Sequence, residues 1–220
     1  MEKQLYTSSP PSLNSWSLTN LNNMCNWTAI VCNHNTKTVS EIHHANFNIT
    51  TALTQFNFNN FPISPISTSM ATKFLRAYSP IPSAIGNLTK LTTLDLGNNT
   101  LEREVPAEMG KLTELQFLSL YNNYLNGTIP YQLDNLKKVQ YLLLGDNYLD
   151  TPDWSKFSGF PVLTFLDLSL NFLDSEVPEF LSECRNLTNL DLSENHLTGQ
   201  IPILVVTNLV KLESLNLTNN

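Results

Sequence analysis

A solenoid of the α/β class, with a parallel β-sheet along its concave side, is predicted by three features of this 220-residue chain. Asn recurs at positions 99, 123, 147, 171 and 195, a step of 24 residues. Each Asn closes a phrase L-x-x-L-x-L-x-x-N, read as Leu91, Leu94, Leu96, Asn99; Leu115, Leu118, Leu120, Asn123; Val139, Leu142, Leu144, Asn147; Leu163, Leu166, Leu168, Asn171; and Leu187, Leu190, Leu192, Asn195. Past each Asn come a further Leu and, in most units, an Ile-Pro or Val-Pro pair, with Pro at 106, 130, 178 and 202. A fixed period of this size marks stacked units, none of which can close a core alone, so that neighbours must bury a continuous apolar spine.

Within L-x-L the two leucines stand two apart, the strand period, and face the core while the residue between them faces out. The Asn carries both a donor and an acceptor, so it can satisfy turn backbone groups in successive units that would otherwise be buried unpaired. Leu101, Leu125, Leu149, Leu173 and Leu197, then Val105, Ile129, Val177 and Ile201, build the outer wall. Gly127 and Gly199 open the form G-x-I-P, where Gly permits an unusual backbone angle and Pro blocks further pairing. Arg103, Thr151 and Ser175 replace that Gly elsewhere, and the unit with Thr151 also reads Asp153-Trp154 for Ile-Pro, so the most irregular wall is expected there. The pattern is a leucine-rich-repeat horseshoe.

Net charge is −7 and the pI near 5.0, which argues against nucleic acid or an anionic membrane as main partner. No apolar run approaches the roughly 18 residues that span a bilayer, and Met1-Glu2-Lys3-Gln4 opens no secretory leader. Cys25 and Cys32 are expected to pair as a capping disulfide, reduced thiols being the alternative, and Cys184 to be a buried small hydrophobe. N-x-S/T sequons at Asn26, Asn48, Asn87, Asn98, Asn126, Asn186 and Asn216 are candidate glycosylation sites in an Asn-rich chain.

The segment from Ser12 to Cys32, S-L-N-S-W-S-L-T-N-L-N-N-M-C-N-W-T-A-I-V-C, followed by repeats with L-x-G-x-I-P, resembles the extracellular domains of plant leucine-rich-repeat receptor-like kinases. The match runs from about Ser12 to the end. Secreted plant repeat proteins that inhibit fungal pectin-degrading enzymes share both signatures, and the resemblance does not separate the two. In the receptor family the ectodomain perceives a peptide or small molecule, often with a co-receptor, and a cytoplasmic kinase transmits the signal. The resemblance therefore implies a non-enzymatic binding module on the extracellular side of the plasma membrane. It implies a peptide or protein partner and no cofactor; the family's kinase and transmembrane helix are absent from the sequence.

Three departures qualify this reading. Family members carry a leader and an amphipathic helix before the S-W motif, whereas here only about a dozen residues precede it. Leu209, Leu212, Leu215 and Leu217 begin another unit that stops at Asn220, its ladder position. Solenoids need polar caps over their last layer, so a fragment or truncated gene product is expected, a decayed product without activity being a further alternative. Third, Phe61 to Pro82 should be a repeat and is not. Ser64, Ser67 and Ser69 stand at the leucine spacing, and serine codons read one base earlier become leucine, which points to a frame slip restored before Ile81-Pro82; a degenerate repeat is the alternative. The expected organisation is a partial cap with the Cys pair over 1–38, first repeats over 39–87 with 63–80 degenerate or slipped, and regular repeats over 88–220.

Outward strand positions of successive units stand about 5 Å apart and form columns on the concave face. One column reads Thr93, Phe117, Tyr141, Phe165, Asn189; the next Asp95, Ser119, Leu143, Asp167, Asp191; a third Gly97, Tyr121, Gly145, Ser169, Ser193. Thr100, Tyr124, Tyr148, Phe172 and His196 follow the Asn ladder. Phe117, Tyr121, Tyr124, Tyr141, Tyr148, Phe165 and Phe172 are expected to gather as an aromatic patch bordered by Asp167 and Asp191, where an extended peptide would stack apolar side chains and offer basic groups. Mutual packing of Tyr124, Tyr148 and Phe172 to stiffen the sheet is the alternative. Asp167 and Asp191 are not a glycosidase pair on this reading, because nothing in the pattern desolvates either. His34, His43, His44 and His196 lack metal-ligand spacing, and no P-loop, G-x-S-x-G or G-x-G-x-x-G occurs.

Overall fold

In the computed structural model, residues 25–36, 38–43 and 80–220 are described. Their main sheet has eight strands: β1 (Ile30–Cys32), β2 (Val39–His43), β3 (Thr93–Asp95), β5 (Phe117–Ser119), β7 (Tyr141–Leu143), β9 (Phe165–Asp167), β10 (Asn189–Asp191) and β11 (Ser214–Asn216), in that spatial order. Only β1 and β2 are antiparallel; all later neighbours are parallel. Leu94, Leu118, Leu142, Leu166 and Leu190 lie opposite one another, with Ile42 before and Leu215 after them. Leu94, Leu118, Leu142, Leu166 and Leu190 are buried. This is the parallel concave sheet of a horseshoe, and its spacing of side chains follows from the one-residue alternation of a strand.

A second, narrower sheet follows the ladder and contains β4 (Glu102–Arg103), β6 (Tyr124–Thr128) and β8 (Tyr148–Asp150), continued by bridges from Asp150 to Phe172 and Glu176 to Thr198. Behind it, among the described residues, the wall is made of 3-10 turns and one short helix, α1 (Ile203–Asn208). Pro106, Pro130 and Pro178 cap these turns with φ between −64° and −67°, so the ring that blocks strand pairing also presets the turn. Gly127 and Gly199 hold φ of 72° and 76°, and Arg103 adopts 69° in their place.

The ladder Asn side chains bond backbone rather than one another. Asn123 donates Nδ2 to Leu96 O and Leu120 O, both at 3.0 Å, and accepts from Leu101 N at 3.0 Å. Asn147, Asn171 and Asn195 repeat the arrangement, and Asn220 does so from a unit one residue longer. Asn123, Asn147, Asn171 and Asn195 each therefore tie two turns and one wall strand together inside the core, whereas Asn220 does so at the exposed end.

The unit after β8 departs as its sequence suggests. Pro152 has no N–H to give, and Asp153 caps a three-residue turn at Trp154–Lys156 by accepting from Ser155 N and Oγ at 3.2 and 2.6 Å. Trp154, Phe157, Phe160 and Phe180 fill the space behind it, with ring centroids 5.3 Å apart for Trp154–Phe157 and for Phe157–Phe180. Cys184 is buried beside them, takes a bond from Phe160 N at 3.4 Å, and has its thiol pushed up to about 11 by burial.

Cys25 and Cys32 form a disulfide. β2 belongs to both the cap hairpin and the concave sheet, so the two are continuous across the 38/39 boundary drawn from the sequence. It pairs directly with β3, Glu41 opposite Thr93. The S-W motif and all but the last residue of the expected frame slip at 63–80 lie outside the described residues.

Candidate binding face

The concave sheet carries the first ring column across three strands. Phe117 and Tyr141 have centroids 5.8 Å apart, and Tyr141 and Phe165 6.3 Å, because their strands pair in register. Tyr141 is the most open of them, 43% exposed. Such tilted and offset contacts suit aromatic quadrupoles, and they leave a ribbed apolar strip running across the strands.

A carboxylate column lies beside it. Asp95, Asp167 and Asp191 each turn back on the residue two positions on: Asp95 Oδ1 accepts from Gly97 N, Asp167 Oδ1 from Ser169 N and Oγ, and Asp191 Oδ1 from Ser193 N and Oγ. Asn216 Nδ2 adds a bond to Asp191 Oδ2 at 3.1 Å. These bonds hold the acids on the strip's flank, each with one oxygen less committed than the other.

Asp167 packs against Gly145, where a Cβ would meet its Oδ1 at 2.5 Å. Burial pushes its carboxyl above the ordinary aspartate value, the bonds from Ser169 oppose this, and the charges of Asp191 and Asp146 add to it. The expectation that nothing desolvates either carboxylate therefore fails for Asp167, because a side-chain-free neighbour lets it sink against backbone. Tyr121 shares this environment: its phenol is raised by burial first, then by Asp146, Asp167 and Asp191. Asp146 is a member of the acidic group that column-reading missed. It occupies a left-handed turn position, φ 54°, between the strand and the ladder, and the signal for it was its place in the series Asn98, Asn122, Asp146, Glu194.

The single aromatic patch is corrected to two rails. Phe117, Tyr121, Tyr141, Phe165, Asp167 and Asp191 stand on the concave strands or directly after them, whereas Tyr124 and Tyr148 open β6 and β8 of the second sheet and Phe172 bridges to it. The cause is the positive-φ residue ahead of each ladder Asn, Asn122, Asp146 or Leu170, which turns the chain off the concave face. Tyr124, Tyr148, Phe172 and His196 stack in sequence at 6.0, 5.8 and 6.2 Å, the first three 42–48% exposed. They stack on one another, as the alternative reading of these rings anticipated.

Of the sequons, Asn26, Asn87, Asn98 and Asn126 are exposed. Asn186 commits its Nδ2 to Pro161 O at 2.6 Å, and Asn216 sits within the carboxylate column. Asn48 lies outside the described residues. Among the described residues no group of three or more His, Cys, Asp or Glu could hold a metal ion, and no helix is long and apolar enough to cross a membrane. His43 pairs with Glu41 at 2.7 Å on β2.

Comparison with known proteins agrees with this architecture. Leucine-rich-repeat family models match residues 90–112, 114–136 and 137–197. No curated protein matches the sequence. Among solved structures, the plant peptide hormone receptor RGFR1 in complex with RGF2 is 36% identical over 63% of this chain and 22% of its own, with a TM-score of 0.59. The ectodomain of the Arabidopsis receptor kinase HAESA, in complex with an extended IDA peptide hormone, is 27% identical over 94% of this chain and 31% of its own, TM-score 0.69. Pollen Receptor Kinase 3 is 25% identical over 96% and 88%, TM-score 0.71. The chain thus spans less than a third of the peptide-hormone receptors it resembles. The family models and these structures agree on the fold: residues 90–197 are built of leucine-rich repeats, similar to those of plant receptor-kinase ectodomains.

Proposed function

We propose that this chain is the ligand-recognising segment of a plant cell-surface receptor kinase, working on the extracellular side and binding an extended peptide across its concave face. The observation that carries this is the rail Phe117–Tyr141–Phe165 running across the strands beside Asp167 and Asp191. Apolar peptide side chains would lie against the rings, and Lys or Arg would meet the carboxylates at a half-buried site where a charge interaction is less screened than in water. The surface itself does no chemistry; the signal would be passed on by a co-receptor and by a kinase elsewhere in the longer protein. That two of the similar structures hold peptide hormones supports the reading.

The test is calorimetry with synthetic peptides of alternating apolar and Lys residues, against the same peptides with Glu for Lys. We expect the basic series to bind and both Tyr141→Ala and Asp167→Asn to weaken it about tenfold, the loss of roughly 1.4 kcal/mol typical of one good contact. Equal binding of the acidic series, or indifference to Tyr141→Ala, would remove the proposal.

A further inference from the structure

The outer wall carries an open groove of about 1030 Å³, away from the concave face, whose lining draws on three successive repeats. Its cause is the irregular unit. β6 runs on to Thr128, but β8 stops at Asp150, and Pro152 and Asp153 stand where the preceding repeat has Thr128 and Ile129. Asp153 then turns the chain away by capping on Ser155.

Three properties of the groove select its occupant. The lining mixes Arg103 and Lys156 with Glu104, Glu108 and Asp153, one carboxylate in excess of balance, so it is dominated by neither sign and offers both donors and acceptors. Tyr131 is 48% exposed, with Lys156 Nζ over one face of its ring at 5.0 Å from the centre, which supplies an aromatic plane with a cation on one side. Asn126 lines it too, is exposed, and begins the sequon Asn126-Gly127-Thr128. A neutral, hydroxyl-rich molecule with flat apolar ring faces suits this lining, and a sugar chain is such a molecule.

We propose that Asn126 carries an N-linked oligosaccharide whose first sugars lie in this groove, taking the place of the wall that the irregular repeat does not build. The inference rests on the extracellular reading given above, since the modification is made in the secretory route. In the transfer, Asn126 Nδ2 bonds to the anomeric carbon of an oligosaccharide carried on a lipid diphosphate. The bond from that carbon to the diphosphate oxygen breaks, the lipid diphosphate leaves with the electron pair, and the amide gives up one proton. The concave strip stays open, because β6 belongs to the second sheet.

The whole chain, secreted from insect cells behind an added leader, is digested for glycopeptide mass spectrometry and melted in four forms: unaltered, Thr128→Ala, Tyr131→Ala and the double variant. We expect sugar on Asn126, and Tyr131→Ala to lower the melting temperature by about 2–4 °C more when Thr128 is present than when it is replaced, the shift expected for one modest contact in a chain of this size. An equal effect in both backgrounds overturns the groove seat, including the case in which the sugar lies over Tyr124 and Tyr148. Bare Asn126 with sugar on Asn26 or Asn87 overturns the site alone; bare Asn at every sequon overturns it together with the extracellular reading. Peptide binding by the Thr128→Ala form reports on the concave face separately.

Discussion

Gly145 and Asp167 fit together as hole and knob: the Asp167 carboxylate occupies the space into which a side chain at 145 would project, its Oδ1 2.5 Å from the position of a Cβ. A side chain at 145 would also crowd Ser169 Oγ, at 2.9 Å. Gly145→Ala should therefore displace the carboxylate and cost about 1–3 kcal/mol as an overpacking change. Urea unfolding measures the stability and calorimetry the loss of basic-peptide binding. If both stay at their original values, position 145 does not shape the site.

Asp167 yields a pH prediction with a definite sign. Its folded carboxyl is raised above the ordinary value of 3.8, chiefly by burial, so the folded state binds its proton more readily than the unfolded chain. The stabilisation this gives is complete below pH 3.8 and is lost as pH rises through the higher folded value. Asp167→Asn keeps an acceptor for Ser169 and removes the buried charge. It should raise the melting temperature at pH 7, leave it nearly unchanged at pH 3, and weaken a cationic ligand at pH 7. Parallel melting curves at the two pH values, displaced equally, would contradict the assignment.

Asn147 serves two turns and the wall strand β6 at once, donating to Leu120 O and Leu144 O and accepting from Leu125 N, at 3.0, 3.1 and 3.1 Å. Asn147→Ala leaves that N–H and those carbonyls buried, at a cost of about 2–4 kcal/mol. Hydrogen exchange should speed up at Leu125 before it does so at the distant Leu197. A loss below about 0.5 kcal/mol, the usual range for surface changes, would mean water replaces the side chain there.

Arg103 occupies the left-handed position that Gly127 and Gly199 hold in their repeats, at φ 69°. A side chain in that region costs about 1–2 kcal/mol, part of which Gly returns through its freer unfolded chain. Arg103→Gly should therefore stabilise the chain by about 0.5–1 kcal/mol, read from the urea midpoint at constant slope. A fall in that midpoint would show that the guanidinium holds the wall more strongly than the backbone resists it.

The repeat phrase made much of this molecule legible. Leucines two apart declared the strand, Asn every 24 residues declared the ladder, and the paired strands follow with Thr93, Phe117, Tyr141, Phe165 and Asn189 side by side. The Asp153-Trp154 substitution announced the broken wall, although the groove it leaves and the place of Asn126 on its rim were not visible in one dimension. Tyr124, Tyr148 and Phe172 were misplaced because periodicity ranks residues along the chain and does not say at which residue the backbone turns a corner.

What the amino-acid order determined by itself was the relations that repeat: which side chains enter the core, that the Asn ladder serves the turns, and which positions form columns. Local alternation and a constant step suffice for these, since each unit meets only its neighbours. Folding in three dimensions alone decided the relations that break the step. Left-handed turns at Asn122, Asp146 and Leu170 divided the rings between two sheets, and the missing side chain at Gly145 let Asp167 lose water and hold its proton more tightly. Such effects depend on how closely atoms of different repeats approach, a distance that no spacing within one repeat encodes.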